Sequence, residues 1–482
     1  MKTLIADICV IGGGSGGLSV AAGAAQLGAS TVLFERDRMG GDCLNTGCVP
    51  SKALLAAGKS AAAMAGKPVM GVPAATDHQL DFGKTHAHIH DVIASIAPHD
   101  SIERFEGLGV TVLPYEARFS SADTVTAVDK TGQQIEVKAR YFVVATGSHP
   151  WTPPINGLDS VSYLTNETIF SLSDCPEHLL IIGGGPIGVE MAQAHRRLGA
   201  RVSLIDVGPI MFRDDPELVG RLKRCLEAEG VEIYEHVKIE EVTPAKGSGI
   251  SISLSSGEVL EGSHLLAAVG RRPNIAGLDL EAANISYTPK GITTDNRLRS
   301  SNKRVFAIGD VAGRHQFTHM AGYHASIVIK NTLFKLPAKL SEDAVPYVTY
   351  TDPELAHTGL SWPDAQKQFS ADDIRCVDWE LKENDRARAE RRTEGMVRII
   401  TNKKGRILGA TILAPHAGEM IHSWTLAIQN RLGMAAMANT IAPYPSWSEA
   451  SKRAAGAFFT EKLFSDRTKK LIRALMIFSP HR

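Results

Sequence analysis

The first apolar stretch of the chain, Ile8 to Ala29, carries no charged residue and follows Lys2. Signal peptides and membrane spans share that pattern. Its centre, however, is Gly12-Gly13-Gly14-Ser15-Gly16-Gly17, and glycines this dense weaken a spanning helix. The pattern instead predicts a buried strand, Asp7-Ile8-Cys9-Val10-Ile11, then a glycine turn, then a helix over Leu18 to Leu27. No other segment is long and apolar enough to span a bilayer, so a soluble, cytoplasmic chain is expected.

The same pattern returns. Residues 8–35 recur at 179–206 with a constant offset of 171, aligning Gly12, Gly14 and Gly17 with Gly183, Gly185 and Gly188. Glu35 aligns with Asp206, each 23 residues after the first glycine. Strand, G-x-G-x-x-G turn, helix, strand and acid form the dinucleotide-binding fingerprint. The first glycine makes the turn, and the second lets backbone N–H groups approach a pyrophosphate at a helix N-terminus. The third lets helix and strand pack closely, and the acid accepts a ribose hydroxyl. Two dinucleotide sites are expected, with electrons or hydride passing between their ligands.

Composition narrows the class. The 482 residues suggest about three domains. Apolar residues are 44% and charged residues 22%, which excludes disorder. Lys plus Arg equals Asp plus Glu at 52 each, so the chain as a whole lacks the charge excess that nucleic-acid or anionic-membrane binding normally needs. Six cysteines are too few for a disulfide scaffold and suggest a reducing compartment, unless two sit at a redox spacing.

Two do. In Gly40-Gly41-Asp42-Cys43-Leu44-Asn45-Thr46-Gly47-Cys48-Val49-Pro50-Ser51-Lys52, the cysteines precede a helix-forming run. The helix dipole and Lys52, one turn on, favour a thiolate there. A metal half-site and two buried thiols are the alternatives. Zinc needs four ligands and no second cysteine pair follows, so no metal site is expected and a redox-active Cys43–Cys48 disulfide is read instead.

With these motifs the chain resembles the flavin-dependent pyridine nucleotide–disulfide oxidoreductases, among them dihydrolipoamide dehydrogenase, glutathione reductase and mercuric reductase. Further along, the resemblance rests on Ala145-Thr146-Gly147-Ser148, the second glycine turn ending in Glu190, and Gly270-Arg271-Arg272-Pro273-Asn274. Ala307-Ile308-Gly309-Asp310 and Tyr350-Thr351-Asp352-Pro353-Glu354 complete it. It implies an α/β fold of two doubly wound, Rossmann-like domains plus an α+β C-terminal dimerisation domain. The implied divisions are an FAD domain at 1–149 and 276–343, a nicotinamide domain at 150–275, a dimerisation domain at 344–460, and a basic amphipathic tail at 461–482.

The resemblance also implies roles. FAD would be held by Gly12, Gly14, Ser15, Gly16, Gly17, Glu35, Gly41, Asp42, Lys52, Thr146, Gly147 and Asp310. NADH, or alternatively NADPH, would be held by Gly183, Gly185, Gly188, Asp206 and Gly270. Cys48 would face the flavin, Cys43 would exchange with substrate, and Lys52 would pair with Glu190 near the flavin. The expected protein is a homodimeric enzyme passing electrons from NAD(P)H through FAD and the Cys43–Cys48 pair. The acceptor would be a small-molecule or protein disulfide, a metal ion or a quinone. Mercuric ion reduction, dihydrolipoamide oxidation and a non-catalytic flavin-binding sensor are the alternatives.

Three features depart from the pattern. Tyr444 stands where lipoamide and glutathione enzymes carry an acid–base histidine, with Glu449 kept five residues on; a phenol is a poor base at neutral pH. Mercuric reductases share the tyrosine but end in a vicinal cysteine pair, whereas no cysteine follows Cys376 and no metal-binding domain precedes residue 1. Soft-metal capture is therefore expected to be incomplete. Asp42 replaces the usual threonine. His86, His88 and His90 are expected to scatter around a helix surface, and His319 to pack beside the flavin site. The tail holds Lys462, Arg467, Lys469, Lys470, Arg473 and Arg482 against Glu461 and Asp466, with Leu471, Leu475 and Phe478 at helical spacing before Ser479-Pro480. It is read as an extra helix packed across a dimer, or as a weak membrane-surface or partner contact.

Overall fold

The computed structural model describes residues 2–75, 79–129, 131–247 and 249–478. The chain forms two compact units: Met1–Ile210 with Gly230–Ser341, and Met211–Glu229 with Glu342–Arg482.

The first unit is built on two sheets, one mixed and one wholly parallel. Strand Lys2–Ile11 lies between Thr31–Phe34 and Gln134–Val144, parallel to both, with Val110–Leu113 beyond Thr31–Phe34. Ile8, Cys9 and Val10 are fully buried, as expected of a strand covered on both faces. The outer edge of Gln134–Val144 is shared. Its first half pairs antiparallel with Thr124–Val128, which carries Ala117–Ser121. Its last residues pair parallel with Val305–Ala307. The chain thus leaves this sheet at Val144 and rejoins it at Val305. Between those points the second sheet forms in the order Val231–Tyr234, Arg201–Ile205, His178–Ile182, His264–Ala267, all parallel.

The second unit carries a five-stranded antiparallel sheet in the order Tyr347–Thr349, Glu354–Gly359, Ile407–Ala414, Met396–Asn402, Ile374–Glu380. Helices Ala417–Gln429 and Ser448–Leu463 contribute to its core, where buried Trp424 donates its indole N–H to Ser451 Oγ at 3.0 Å. Arg398 explains why Met211–Glu229 groups here. Its guanidinium, largely buried, pairs with Asp215 at 2.9 Å, Glu217 at 2.6 Å and Asp378 at 2.7 Å.

Among the described residues no helix is long and apolar enough to cross a membrane.

Candidate active site

The repeat seen in the sequence is a repeat in geometry. Gly12 and Gly183 adopt φ of +109° and +107°, and a Cβ on either would lie 2.4 or 2.5 Å from the carbonyl oxygen of Ala145 or Ala268. Only glycine serves there. A Cβ on Gly17 or Gly188 would strike the carbonyl oxygen of Gly12 or Gly183 at 1.8 or 1.9 Å, so each helix crosses its strand in near contact. The middle glycines differ. A Cβ on Gly14 would have only Gly41 Cα nearby, at 3.9 Å, and on Gly185 it would enter open space. Gly14 and Gly185 are the N-caps of helices Ser15–Gln26 and Pro186–Arg197, and neither has a side-chain cap. Backbone N–H groups at each terminus can therefore take a pyrophosphate, the fit required of two dinucleotides.

The acids are placed alike as well. Gly13 N–H donates to Glu35 Oε2 and Gly184 N–H to Asp206 Oδ2, each at 2.6 Å. The remaining oxygens accept from Asp37 N–H at 2.7 Å and Gly208 N–H at 2.8 Å.

Cys43 sits in the short helix Gly41–Asn45, and Cys48 opens helix Cys48–Ala63. Both are thiols here. The Cys43 thiol donates to the Cys48 sulfur, and this bond splits their acidities. It pushes Cys43 well above the ordinary thiol range, helped by burial. It lowers Cys48 to about 6, with Thr318 and the Lys52 charge assisting, against burial and the Asp42 charge. Thr318 Oγ1 lies 3.4 Å from Cys48 Sγ. Lys52, one turn into the helix, pairs with Glu190 at 2.8 Å, the lysine side chain 37% exposed and the glutamate 6%.

Asp42 now has partners. Its Oδ1 accepts from Thr46 Oγ1 at 2.7 Å and Asn166 Nδ2 at 2.9 Å, and its Oδ2 lies 3.3 Å from Arg271 Nη2. Arg271 also donates through Nε to Ser148 Oγ at 2.7 Å and through Nη2 to the Ser148 carbonyl at 2.9 Å. Ser148 Oγ donates to Asp310 Oδ2 at 2.6 Å, and Arg271 lies 4.0 Å from that same oxygen. Burial raises the Asp310 carboxyl above its usual range, against the Ser148 bond and the Arg271 charge. Thr146 and Asn274 lock the neighbouring turn: Thr146 Oγ1 donates to the Asn274 carbonyl at 2.7 Å and Asn274 Nδ2 returns to the Thr146 carbonyl at 2.8 Å. Gly147, between them and Ser148, and Gly270, before Arg271, both take positive φ. Sequence reasoning assigned no role to Arg271, Asn166 or Thr318. Arg271 stood in a quoted motif, but Asn166 and Thr318 carried no local signal.

Tyr444 and Glu449 lie in the second unit. Tyr444 is 69% exposed, and its hydroxyl donates to Asp385 Oδ2 at 3.1 Å, which raises its pKa above the ordinary phenol value. Glu449 Oε1 accepts from Arg453 Nε and Nη2 at 3.1 and 3.0 Å. One histidine expectation is corrected. His86 and His90 do not scatter: four residues apart on helix Phe82–Ile96, they share a face with ring centroids 4.3 Å apart. His319 stacks on Phe317 at 5.2 Å.

The family profile described as pyridine nucleotide-disulphide oxidoreductase matches residues 6–325, and the dimerisation domain of that family matches 345–455. The chain belongs to the pyridine nucleotide-disulphide oxidoreductases. Members of this family use FAD and take electrons from NAD(P)H, and this chain is a flavin-dependent enzyme of that class. Mercuric reductase from Streptomyces lividans is 34% identical over 94% of this chain and 96% of its own length. The Staphylococcus aureus mercuric reductase is 32% identical over 94% and 82%. Among solved structures, LpdA from Mycobacterium tuberculosis superposes with a TM-score of 0.85 at 25% identity over 95% of this chain and 99% of that one. The Escherichia coli flavoprotein disulfide reductase RclA, as a Cu(II) complex, shares the fold with a TM-score of 0.84 at 24% identity over 94% and 99%.

Proposed function

We propose that this enzyme is a homodimeric NADH-dependent reductase that delivers electrons to a disulfide through Cys43 and Cys48. The supporting observation is the placement of the pair: two sulfurs within hydrogen-bond reach of each other at the opening of helix Cys48–Ala63, one turn from the Lys52 ammonium. FAD, held by the first glycine turn, Thr146–Ser148 and Asp310, supplies when bound the two-electron relay from the nicotinamide cofactor.

The residues do the rest. Cys48 is kept ionised by the Cys43 hydrogen bond and by Lys52. The Cys43 proton moves along its hydrogen bond to Cys48 as the Cys43 sulfur attacks the substrate disulfide, and it passes on to the first leaving thiolate, giving a mixed disulfide and one free thiol. Cys48 thiolate then attacks Cys43 Sγ, releasing the second substrate thiolate and closing the Cys43–Cys48 disulfide. Two electrons and one proton leave the pair, and the acceptor gains both. Lys52 and Glu190 orient one another at the opening of the Cys48 helix. Asp206 would accept the adenosine ribose 2′-hydroxyl of NADH, and its charge would disfavour a 2′-phosphate.

A second reading is reduction of a soft metal ion, favoured by the mercuric reductases at 32–34% identity and by two sulfurs within hydrogen-bond reach of each other. Turnover of NADH with disulfides, lipoamide, quinones and Hg(II) separates the two. A small or protein disulfide is expected to be the best acceptor. A preference for Hg(II) selects the second reading, and no turnover with any acceptor removes both in favour of a flavin-binding sensor.

A further inference from the structure

The last described helix, Asp466–Met476, follows the matched dimerisation domain and stands apart from the core. Ser465 caps it, its side chain accepting from Thr468 N–H, so it begins as a new helix rather than a continuation of Ser448–Leu463. At 100° per residue, Thr468, Leu471, Ile472 and Leu475 share one face, and Asp466, Lys469, Lys470 and Arg473 occupy the opposite one. None of its residues is buried. Leu471, Ile472 and Leu475 are all more than half exposed, as are Leu463 and Phe464 before it, and Phe478 after it reaches 86%. Packing within the described chain therefore does not account for the apolar face. The closing Ser479-Pro480 and Arg482 lie outside the described residues.

We propose that this helix docks the enzyme on an anionic lipid bilayer. Charge selects that occupant. Between 461 and 478 there are five basic residues, Lys462, Arg467, Lys469, Lys470 and Arg473, against Glu461 and Asp466, in a chain whose basic and acidic residues are equal overall at 52 each. A second copy of the same helix would cover the apolar face alone and leave the basic one in solvent. A bilayer with acidic headgroups accepts both faces at once: apolar side chains enter the acyl boundary while the basic ones stay at the headgroups. Eleven residues make about 16 Å of helix, half the hydrocarbon thickness, so the helix lies in the interface and does not span. The helix carries none of the residues of the Cys43–Cys48 pair or of the two glycine turns, so activity in solution is expected to survive changes to it.

The test is co-sedimentation of the full-length, FAD-loaded enzyme with phosphatidylglycerol–phosphatidylcholine vesicles and with pure phosphatidylcholine vesicles. Binding is expected only to the anionic vesicles at low salt, with release at high salt. Lys469→Gln, Lys470→Gln and Arg473→Gln are each expected to lower the partition coefficient about fivefold. Leu471→Ser with Leu475→Ser is expected to lower it at every salt concentration. All of these variants should keep flavin content and NADH oxidation in solution. Failure of the full-length enzyme to bind anionic vesicles overturns the proposal. So does a Lys469→Gln/Lys470→Gln/Arg473→Gln triple variant that sediments as the parent does. Sedimentation velocity provides a third check: a dimer that becomes a monomer on truncation after Phe464, without vesicle binding by the parent, assigns the helix to a second copy instead.

Discussion

Lys52 Nζ lies 2.8 Å from Glu190 Oε2, joining the helix that opens at Cys48 to the helix that follows the second glycine turn. Gly58 and Ala194 bring the same two helices close, since a Cβ on Gly58 would lie 3.3 Å from the Ala194 carbonyl oxygen. The lysine charge is therefore fixed one turn from the Cys48 thiolate by a carboxylate that is itself nearly buried.

Removing that charge should weaken the thiolate. Lys52→Met is expected to raise the midpoint of the thiolate absorbance in the reduced enzyme above about 6, because the Lys52 charge is one of the causes holding it down. It should also lower the Tm by leaving Glu190 without its ammonium, a loss of about 1–3 kcal/mol. Glu190→Gln keeps the lysine charge and should leave the midpoint at or below its parent value. A midpoint unmoved in Lys52→Met would remove the lysine from the site.

The two cysteines should behave unequally. The parent enzyme is expected to show one thiolate step near pH 6, with Cys48 ionised above it and protonated below it. Cys43 should stay protonated through neutral pH. Activity that needs the Cys48 thiolate should fall as pH drops through 6. Cys48→Ser should abolish that step and, with FAD bound, any long-wavelength thiolate–flavin absorbance. Cys43→Ser should retain the absorbance in the resting enzyme and lose disulfide reductase turnover. Full turnover in either variant would contradict the assignment.

At the second turn Asp206 should select the donor. A like charge set against a 2′-phosphate costs enough that kcat/KM for NADH should exceed that for NADPH by on the order of 100-fold. Asp206→Ser should narrow the gap from the NADPH side. Equal or greater kcat/KM for NADPH in the parent would refute the role.

Dihydrolipoamide should be a poor donor at neutral pH, because Tyr444 supplies no base and its hydroxyl is engaged with Asp385. Tyr444→His should raise that oxidation by roughly 100-fold, the scale of a positioned general base. The gain should grow with Arg453→Met, which frees Glu449 from its guanidinium partner. Efficient oxidation by the parent would show that another group takes the proton.

Asp42→Thr should lower the Cys48 midpoint below its parent value, since the Asp42 charge opposes the thiolate. It should also free Asn166 and Arg271 from that oxygen pair. A midpoint that rises would reverse the sign argued here.

The glycine turns were legible because every requirement is local: a positive φ at Gly12, a strand crossing at Gly17, an acid 23 residues on. Two dinucleotide sites followed from finding them twice, and the doubly wound architecture from the family resemblance those turns helped to carry. Asp42 was opaque for the opposite reason. Its partners Asn166 and Arg271 lie more than a hundred residues away, and no spacing rule connects them. Thr318, 270 residues from Cys48, was invisible in the same way. The His86–His90 contact was misjudged although it is local, because residues four apart on a helix share a face.

The divided edge of strand Gln134–Val144 has a consequence for how the protein is made. Its final residues bond to Val305–Ala307, so the first sheet lacks a strand until the ribosome has delivered more than 300 residues. The intervening four-stranded parallel sheet is complete in sequence by Ala267 and can close earlier, around its own glycine turn. The sheet that begins first in the chain therefore finishes after the one inserted into it, and until then the Val144 edge stays open to other strands during synthesis.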